Sequence, residues 1–285
     1  MCAKRLCAAT ALAAALSVAV AAPALAWPFG GKTDKPAADA KTDPKSAAKT
    51  PAKPDAKTDE AAKPVKATPA ERLAAERLDP LASATFWARE VQIDPTEVEA
   101  GLKLSAALRV LGRYEEAAQS AQRVLVASPK NFDGLLELAR SQIAAGQGFY
   151  AIQPLKDAQA ARPKDWRPIS MLGIAYEQSE RPAEAKVAHE QAMAMEPNNP
   201  AVLSNVALFR ANQGDKAGAE ALLRRAVTLP GATARERQNL ALVLGLQGKL
   251  AEAEQLIRQD LPPQTAEANL AYLKSASAPA PQARR

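Results

Sequence analysis

The chain has 285 residues, of which 47% are hydrophobic, 24% charged and only 4% aromatic, and its formal net charge is +6. One histidine and two cysteines are too few for a His/Cys metal site, and they argue against a Cys–His nucleophile. The positive charge lies towards the N-terminus, because residues 71–285 carry 26 basic and 25 acidic side chains. This balance argues against a nucleic-acid-binding surface.

Residues 1–26 have the features of a secretory signal peptide. Lys4 and Arg5 precede an apolar run over residues 6–22, and the segment ends in the small-residue pattern Ala-Leu-Ala at Ala26. We expect cleavage after Ala26 and export to the periplasm. The alternative is an uncleaved membrane anchor, since the run is nearly long enough to span a bilayer. Both cysteines lie in this segment, so the mature chain would have no disulfide.

Residues 27–70 are predicted to be a disordered linker. Between residues 30 and 70 there are six prolines among Lys, Asp, Thr and Ala, and Val65 is the one large apolar side chain. Such a composition cannot bury enough apolar area to offset the loss of chain entropy. The alternating charges favour a plain spacer. The alternative is a tether that contacts an anionic envelope surface.

A 34-residue period organises the rest of the chain. Several columns of residues recur in one register. The proline column is Pro95, Pro129, Pro163 and Pro197, and the alanine column is Ala117, Ala151, Ala185, Ala219 and Ala253. Leucine or valine followed by a small residue recurs at 104–105, 138–139, 172–173, 206–207 and 240–241. The glycine column is Gly112, Gly146, Gly214 and Gly248, with Glu180 in the remaining place.

The period predicts stacked pairs of helices. The small residue lets the second helix approach the first, and the glycine ends the first helix in a left-handed conformation. The proline stops the second helix and begins the turn to the next pair. Because one pair cannot bury its own apolar face, neighbouring pairs stack on a continuous core. We therefore predict an all-α repeat domain over residues 71–274.

The periodicity resembles the tetratricopeptide repeat, whose consensus is carried by residues 172–199. The resemblance implies a right-handed superhelix of about five and a half helix-turn-helix repeats. Full repeats are expected to begin near Val98, Phe132, Trp166, Pro200 and Ala234.

Partial units are predicted at both ends of the repeat domain. Residues 81–95 fit the second half of a degenerate unit, and residues 261–274 fit a capping helix. The expected packing residues are Phe86, Trp87 and Val91 in the first segment and Leu270, Tyr272 and Leu273 in the second. Residues 275–285 are rich in Ala and Pro and are predicted to be a flexible tail.

In this architecture the first helices line a concave groove that can bind a partner. Asn205 and Asn239 occupy the same position in successive repeats and resemble the asparagine ladder by which some tetratricopeptide-repeat proteins hold an extended peptide backbone. The alternative is that both are polar residues on a hydrated face. We expect their replacement by alanine to weaken partner binding and to leave thermal unfolding almost unchanged. The other predicted groove residues are Arg140, Arg167, Ser170, Ile174, Leu208, Arg235, Gln238 and Leu242.

The sequence predicts a chain that is not an enzyme and that uses no cofactor and no metal. His189 lies in a second helix, where we expect it to pack against its neighbour. The glycines recur at repeat spacing and are interpreted as turn residues, so none forms a phosphate-binding loop.

Residues 80–273 also resemble the Flp/Tad pilus assembly protein TadD, most clearly over 229–254 and 260–273. The resemblance implies a periplasmic scaffold for assembly of a Flp/Tad-type pilus or related secretion apparatus, with a pilus secretin or pilin components as partners. Members of that family are often outer-membrane lipoproteins. This chain has no cysteine after its apolar run, so association with the outer membrane would need another means. The alternative is a general envelope adaptor that organises peptidoglycan or outer-membrane enzymes.

Overall fold

A computed structural model describes residues 65–277 of the chain. Within this range there are thirteen α-helices and no strand. The helices are α1 (Pro69–Ala75), α2 (Pro80–Ile93), α3 (Val98–Val110), α4 (Tyr114–Ala127), α5 (Phe132–Ala144), α6 (Gly148–Ala161), α7 (Trp166–Gln178), α8 (Pro182–Met195), α9 (Pro200–Asn212), α10 (Lys216–Ala226), α11 (Ala234–Leu246), α12 (Leu250–Asp260) and α13 (Pro263–Ser277).

Helices α3 to α12 form five antiparallel pairs that stack in chain order. The first helices of the pairs, α3, α5, α7, α9 and α11, begin at the five residues predicted from the period. Each first helix packs on its own second helix and on the first helix of the next pair. Helices α1 and α2 precede this array and α13 closes it, so the predicted all-α repeat architecture is confirmed.

The turns within the pairs use the left-handed backbone conformation that the glycine column predicts. Gly112, Gly146, Gly214 and Gly248 have φ between +75° and +92°. Glu180 takes the same place in the third pair and has φ +56°. A side chain with a Cβ atom is strained in this region, which is why the other four pairs use glycine there.

The small residues of the period allow the helices of a pair to approach closely. All five members of the alanine column are completely buried. At Gly173 on α7, a Cβ atom would lie 2.5 Å from Cε1 of His189 on α8, so no larger residue fits without movement. The core is accordingly built mainly from alanine and leucine side chains.

The terminal units pack largely as expected. Trp87 and Val91 of α2 are buried, and Phe86 is half-buried against them. In α13, Leu270 and Leu273 are buried but Tyr272 is exposed, so the predicted packing of Tyr272 is wrong. Positions 270 and 273 share one face of a helix, whereas position 272 points away from it.

The repeat domain begins slightly earlier than predicted. Helix α1 starts at Pro69, two residues inside the predicted linker 27–70. The backbone N–H of Ala67 lies 3.1 Å from each carboxylate oxygen of Glu90, and Nη2 of Arg72 donates to Glu90 over 2.6 Å. Glu90 is 1% exposed on α2, and a buried carboxylate requires such donors.

At the other end, α13 continues to Ser277, three residues beyond the predicted boundary of the repeat domain. The predicted signal peptide (1–26), residues 27–64 of the predicted linker and residues 278–285 of the predicted tail lie outside the described residues.

Packing between successive pairs changes along the array. The junctions α2–α3, α4–α5 and α6–α7 are close, whereas those from α8–α9 onward are looser and α8–α9 is the loosest. A cavity of about 570 Å³ opens at the α8–α9 junction.

Candidate protein-binding groove

Two of the predicted groove residues are half-buried apolar side chains: Ile174 lies on α7 and Leu208 on α9, the first helix of the next pair. Met171 of α7, which lies one repeat before Asn205, is a third half-buried apolar side chain on the first helices. Met171 and Leu208 rest against the two largest buried clusters of the array. We call the surface formed by these three residues and the arginines described next the groove.

Arg140 stands beside a buried carboxylate that also binds a second arginine. Nη1 of Arg140 lies 3.3 Å from Glu137, and Nε of Arg109 on α3 donates to the other oxygen of Glu137 over 2.8 Å. The Glu137 side chain is 7% exposed, whereas that of Arg140 is 39% exposed. Two guanidinium groups share one carboxylate, so this part of the groove has an excess of positive charge.

Arg167 is held in a fixed orientation at the start of α7. Its guanidinium makes a two-pronged ion pair with Asp165, with Nη2 to Oδ2 at 2.6 Å and Nε to Oδ1 at 2.9 Å. The guanidinium carbon lies 5.1 Å from the ring centre of Phe132, within the range of a cation–π contact. The Arg167 guanidinium lowers the pKa of Asp165 and the carboxylate raises the pKa of Arg167, so both stay charged.

The two predicted ladder asparagines make their hydrogen bonds within the chain. Nδ2 of Asn205 donates to Oγ of Ser170 over 3.0 Å, and Nδ2 of Asn239 donates to Oγ of Ser204 over 2.7 Å. Each bond joins one first helix to the preceding one. Asn239 is 9% exposed and Ser170 is 1% exposed, so the prediction that Asn239 and Ser170 face a ligand is wrong, whereas Asn205 is half-buried.

Gln238 and Leu242 are also buried, contrary to the prediction that they line the groove. Helix α13 covers α11 at this end of the array, where these two residues and Leu273 enclose a small cavity of about 20 Å³. A capping helix takes the place of a further repeat, so its packing face buries positions that would otherwise be open. Arg235, at the first turn of α11, is exposed.

Further polar contacts between first helices were not predicted. Nε2 of Gln178 donates to the carbonyl oxygen of Ile143 over 3.0 Å, and Nδ2 of Asn212 lies 3.3 Å from Glu177. A signal for the serine–asparagine pairs was present in the sequence, because each pair is separated by 35 residues, one more than the repeat. Side chains of this kind fix the angle between successive pairs.

His189 packs in the core as expected for a second-helix residue. It is 1% exposed, its Nε2 lies 2.7 Å from Glu177 Oε1, and its Nδ1 has no hydrogen-bond partner among the described residues. Between residues 65 and 277, no group of three or more His, Cys, Asp or Glu side chains is placed to hold a metal ion. Nor does any helix of that segment combine the length and apolar character needed to cross a membrane.

No protein-family model and no curated protein matches the chain. Among solved structures, a thermophilic tetratricopeptide-repeat protein of Thermus thermophilus is 24% identical, with 63% of this chain and 100% of that chain covered at a TM-score of 0.57. One from Parabacteroides merdae is 13% identical, with coverage of 72% and 80% and a TM-score of 0.62. A chain of the APC/C hetero-tetramer Cut9–Hcn1 is 16% identical, with 73% of this chain and 47% of that chain covered at a TM-score of 0.54. The helix pairs, their 34-residue period and these neighbours together show that the chain has the tetratricopeptide-repeat fold.

Proposed function

We propose that the chain is a non-enzymatic scaffold that binds a segment of a partner protein in its groove. The observation that carries the proposal is that half-buried Met171, Ile174 and Leu208 lie on the same series of first helices as two arginines held by ion pairs. These are Arg140 of α5 and Arg167 of α7. Open apolar side chains beside fixed charges are what a protein-recognition surface needs. The fold supports the proposal, since a chain of the Cut9–Hcn1 assembly has the same one.

The groove would recognise side chains more than backbone. Apolar side chains of the partner would pack on Ile174 and Leu208, and a carboxylate would bind Arg140 or Arg167, whose guanidinium is already oriented. Of the two predicted ladder residues, only Asn205 is sufficiently open to contact a ligand, and its Nδ2 already donates to Ser170. Its Oδ1 can accept a hydrogen bond from a peptide N–H, which gives one contact rather than a ladder.

We further propose that the partner belongs to a Flp/Tad-type pilus or a related secretion apparatus in the periplasm. Support comes from the resemblance of residues 80–273 to the TadD family and from the secretory signal pattern of residues 1–26. A pilus secretin or a pilin component is the proposed partner. The outer membrane is the proposed surface at which the two meet.

Co-purification of the tagged full chain from the envelope of its native host tests both the binding of a partner in the groove and the identity of that partner. Ile174→Glu with Leu208→Glu should reduce recovery of the partner at least about tenfold, because the substitutions place charge where apolar contacts form. The matched control is Val126→Glu with Val187→Glu, at exposed valines of second helices, which should keep the partner. Circular dichroism verifies that all variants are folded.

The result distinguishes groove binding from the assignment of the partner to a pilus. Equal recovery by the groove variant and the control would refute binding in the groove. Recovery of peptidoglycan or outer-membrane enzymes through the groove, without a secretin or pilin, would keep the scaffold and replace the pilus assignment by the general envelope adaptor.

A further inference from the structure

The cavity between α8 and α9 lies between the second helix of one pair and the first helix of the next, and its lining residues are not those of the groove. Its volume is about 570 Å³, within the range of sites that hold small ligands or anchoring side chains. Met193 of α8 and Val206 and Phe209 of α9 give it apolar walls. Lys186 of α8 and Arg210 of α9 are its cationic members.

The repeat period shows why the cavity exists at this junction. Lys186 and Arg210 lie one period after Ile152 and Tyr176 of the α6–α7 junction, where both side chains are buried. An apolar pair thus packs one junction, and two cations take the same places at the next. Like charges on two facing helices repel each other and cannot be buried unpaired, so the helices stay apart.

These two cations lack strong partners within the chain. The one ion pair of Lys186 among the described residues is to Glu190 at 3.8 Å, between side chains that are 65% and 60% exposed. Arg210 makes no ion pair and no side-chain hydrogen bond with residues 65–277, although it lines the cavity. Asp215, the other lining carboxylate, is occupied as the N-cap of α10, where it accepts the N–H of Gly218 over 2.8 Å.

We propose that this cavity binds a segment of a partner protein in which a large apolar or aromatic side chain adjoins a carboxylate. The apolar side chain would rest against Phe209 and Val206, and the carboxylate would bind Lys186 and Arg210. At the preceding junction, the side chains of Ile152 and Tyr176 fill this space. At the α8–α9 junction the occupant would fill it instead, and its carboxylate would balance the charges of Lys186 and Arg210. The chain's own residues 278–285 are unsuited, because they contain two arginines, no acidic side chain and no aromatic side chain.

A titration of the ¹⁵N-labelled full chain, followed by transverse-relaxation-optimised NMR, tests the proposal with the peptide acetyl-Trp-Glu-Glu-amide. We expect amide shifts at Val206, Phe209 and Arg210, and an affinity about tenfold higher than that of acetyl-Trp-Gln-Gln-amide, which lacks the carboxylates. Equal affinity of the two peptides, or shifts confined to α7 and the groove, would refute it. Decanoate serves as a lipid probe, and tighter binding of decanoate than of the acidic peptide would overturn the assignment to a protein.

Variants taken from the chain's own pattern sharpen the test. Lys186→Ile with Arg210→Tyr recreates the α6–α7 pair and should abolish peptide binding with no loss of thermal stability. Arg210→Gln should weaken binding about fivefold even if the double variant folds poorly. The charge-matched control is Lys130→Gln, in the exposed turn between α4 and α5, which should leave the affinity unchanged.

The same variants expose other outcomes. An affinity that Arg210→Gln does not alter would overturn the proposal. An increase in peptide affinity after Trp27→Ala with Phe29→Ala would show that the chain's own aromatic residues compete for the cavity, and would overturn the assignment to a partner. Neither result depends on whether a partner binds in the groove.

Discussion

Asn239 on α11 donates a hydrogen bond from Nδ2 to Oγ of Ser204 on α9 over 2.7 Å, and both side chains are buried. One repeat earlier, Asn205 makes the equivalent bond to Ser170 over 3.0 Å. The two bonds join three consecutive first helices along the concave side of the array. The asparagine amides that were predicted to bind a peptide backbone therefore form hydrogen bonds between the repeats instead.

Asn239→Ala should lower the free energy of unfolding by about 1–2 kcal/mol, because it removes a buried hydrogen bond and leaves Ser204 Oγ without this donor. This contradicts the sequence-based expectation of almost unchanged unfolding. Urea denaturation of Asn239→Ala, Ser204→Ala and the double variant measures the effect, with a coupling of about 1 kcal/mol expected between the two sites. Gln255→Ala, at an exposed position of α12, is the control. Strictly additive losses would show that the bond contributes nothing.

Gly173→Ala should be destabilising by about 1–3 kcal/mol, since the new methyl group would overlap the ring of His189. The preceding repeat holds Ala139 and Leu155 at these two places. Adding His189→Leu to Gly173→Ala should therefore recover most of the loss. Denaturant midpoints of the two single variants and the double variant measure this. A double variant that is less stable than Gly173→Ala alone would contradict the steric explanation.

Glu180→Gly should stabilise the chain by about 0.5–1 kcal/mol, because glycine adopts φ +56° without the strain that a Cβ atom causes. Gly146→Ala provides the reverse change at φ +75° and should destabilise by about 1 kcal/mol. Thermal unfolding with calorimetry measures both. If both variants shift the midpoint of thermal unfolding in the same direction, backbone strain does not explain why glycine is preferred at this turn position.

Glu220 gives the array a defined dependence on pH. Its carboxylate accepts from Lys249 Nζ over 2.6 Å and from Arg224 Nε over 2.9 Å, and these cations lower its pKa from 4.5 to about 2. A lowered pKa means that the contribution of Glu220 is complete above pH 4.5 and disappears as the pH falls towards 2. Glu220→Gln should cost about 1 kcal/mol at pH 7, after allowance for solvent screening.

Urea denaturation of the native chain and of Glu220→Gln at pH 7, 4.5 and 2.5 measures this dependence. The two stabilities should converge as the pH decreases, because the protonated carboxyl group and the amide have the same charge. A difference that stays constant over this range would contradict the proposed role of Glu220.

The fold was accessible from the sequence because its determinants are local and repeated. A glycine between helices, a small residue facing a close crossing and a proline after the second helix each have one physical reason. The period repeats the small residue five times and the glycine and the proline four times each. The starts of α3, α5, α7, α9 and α11 follow directly from that register.

The groove was less accessible because its side chains also contact each other. Position within a repeat identifies which residues point towards the concave side, and Ile174 and Leu208 lie there half-buried. It does not reveal that Asn239 has a serine partner one repeat away, or that α13 covers Gln238 and Leu242. These contacts depend on the angle between pairs and on how the array ends, neither of which is written in a single repeat.

The loosening of the junctions from α8–α9 onward has a mechanical consequence. In a repeat array each unit contacts only its neighbours, so the array deforms most easily at the junctions where neighbouring units pack least closely. The N-terminal half, up to α7, has the closer junctions, so we expect bending to occur in the C-terminal half, within the limits that the Asn205–Ser170 bond between α7 and α9 sets. A molecule that bridged Lys186 and Arg210 would add a contact between α8 and α9 and so stiffen the array at that junction.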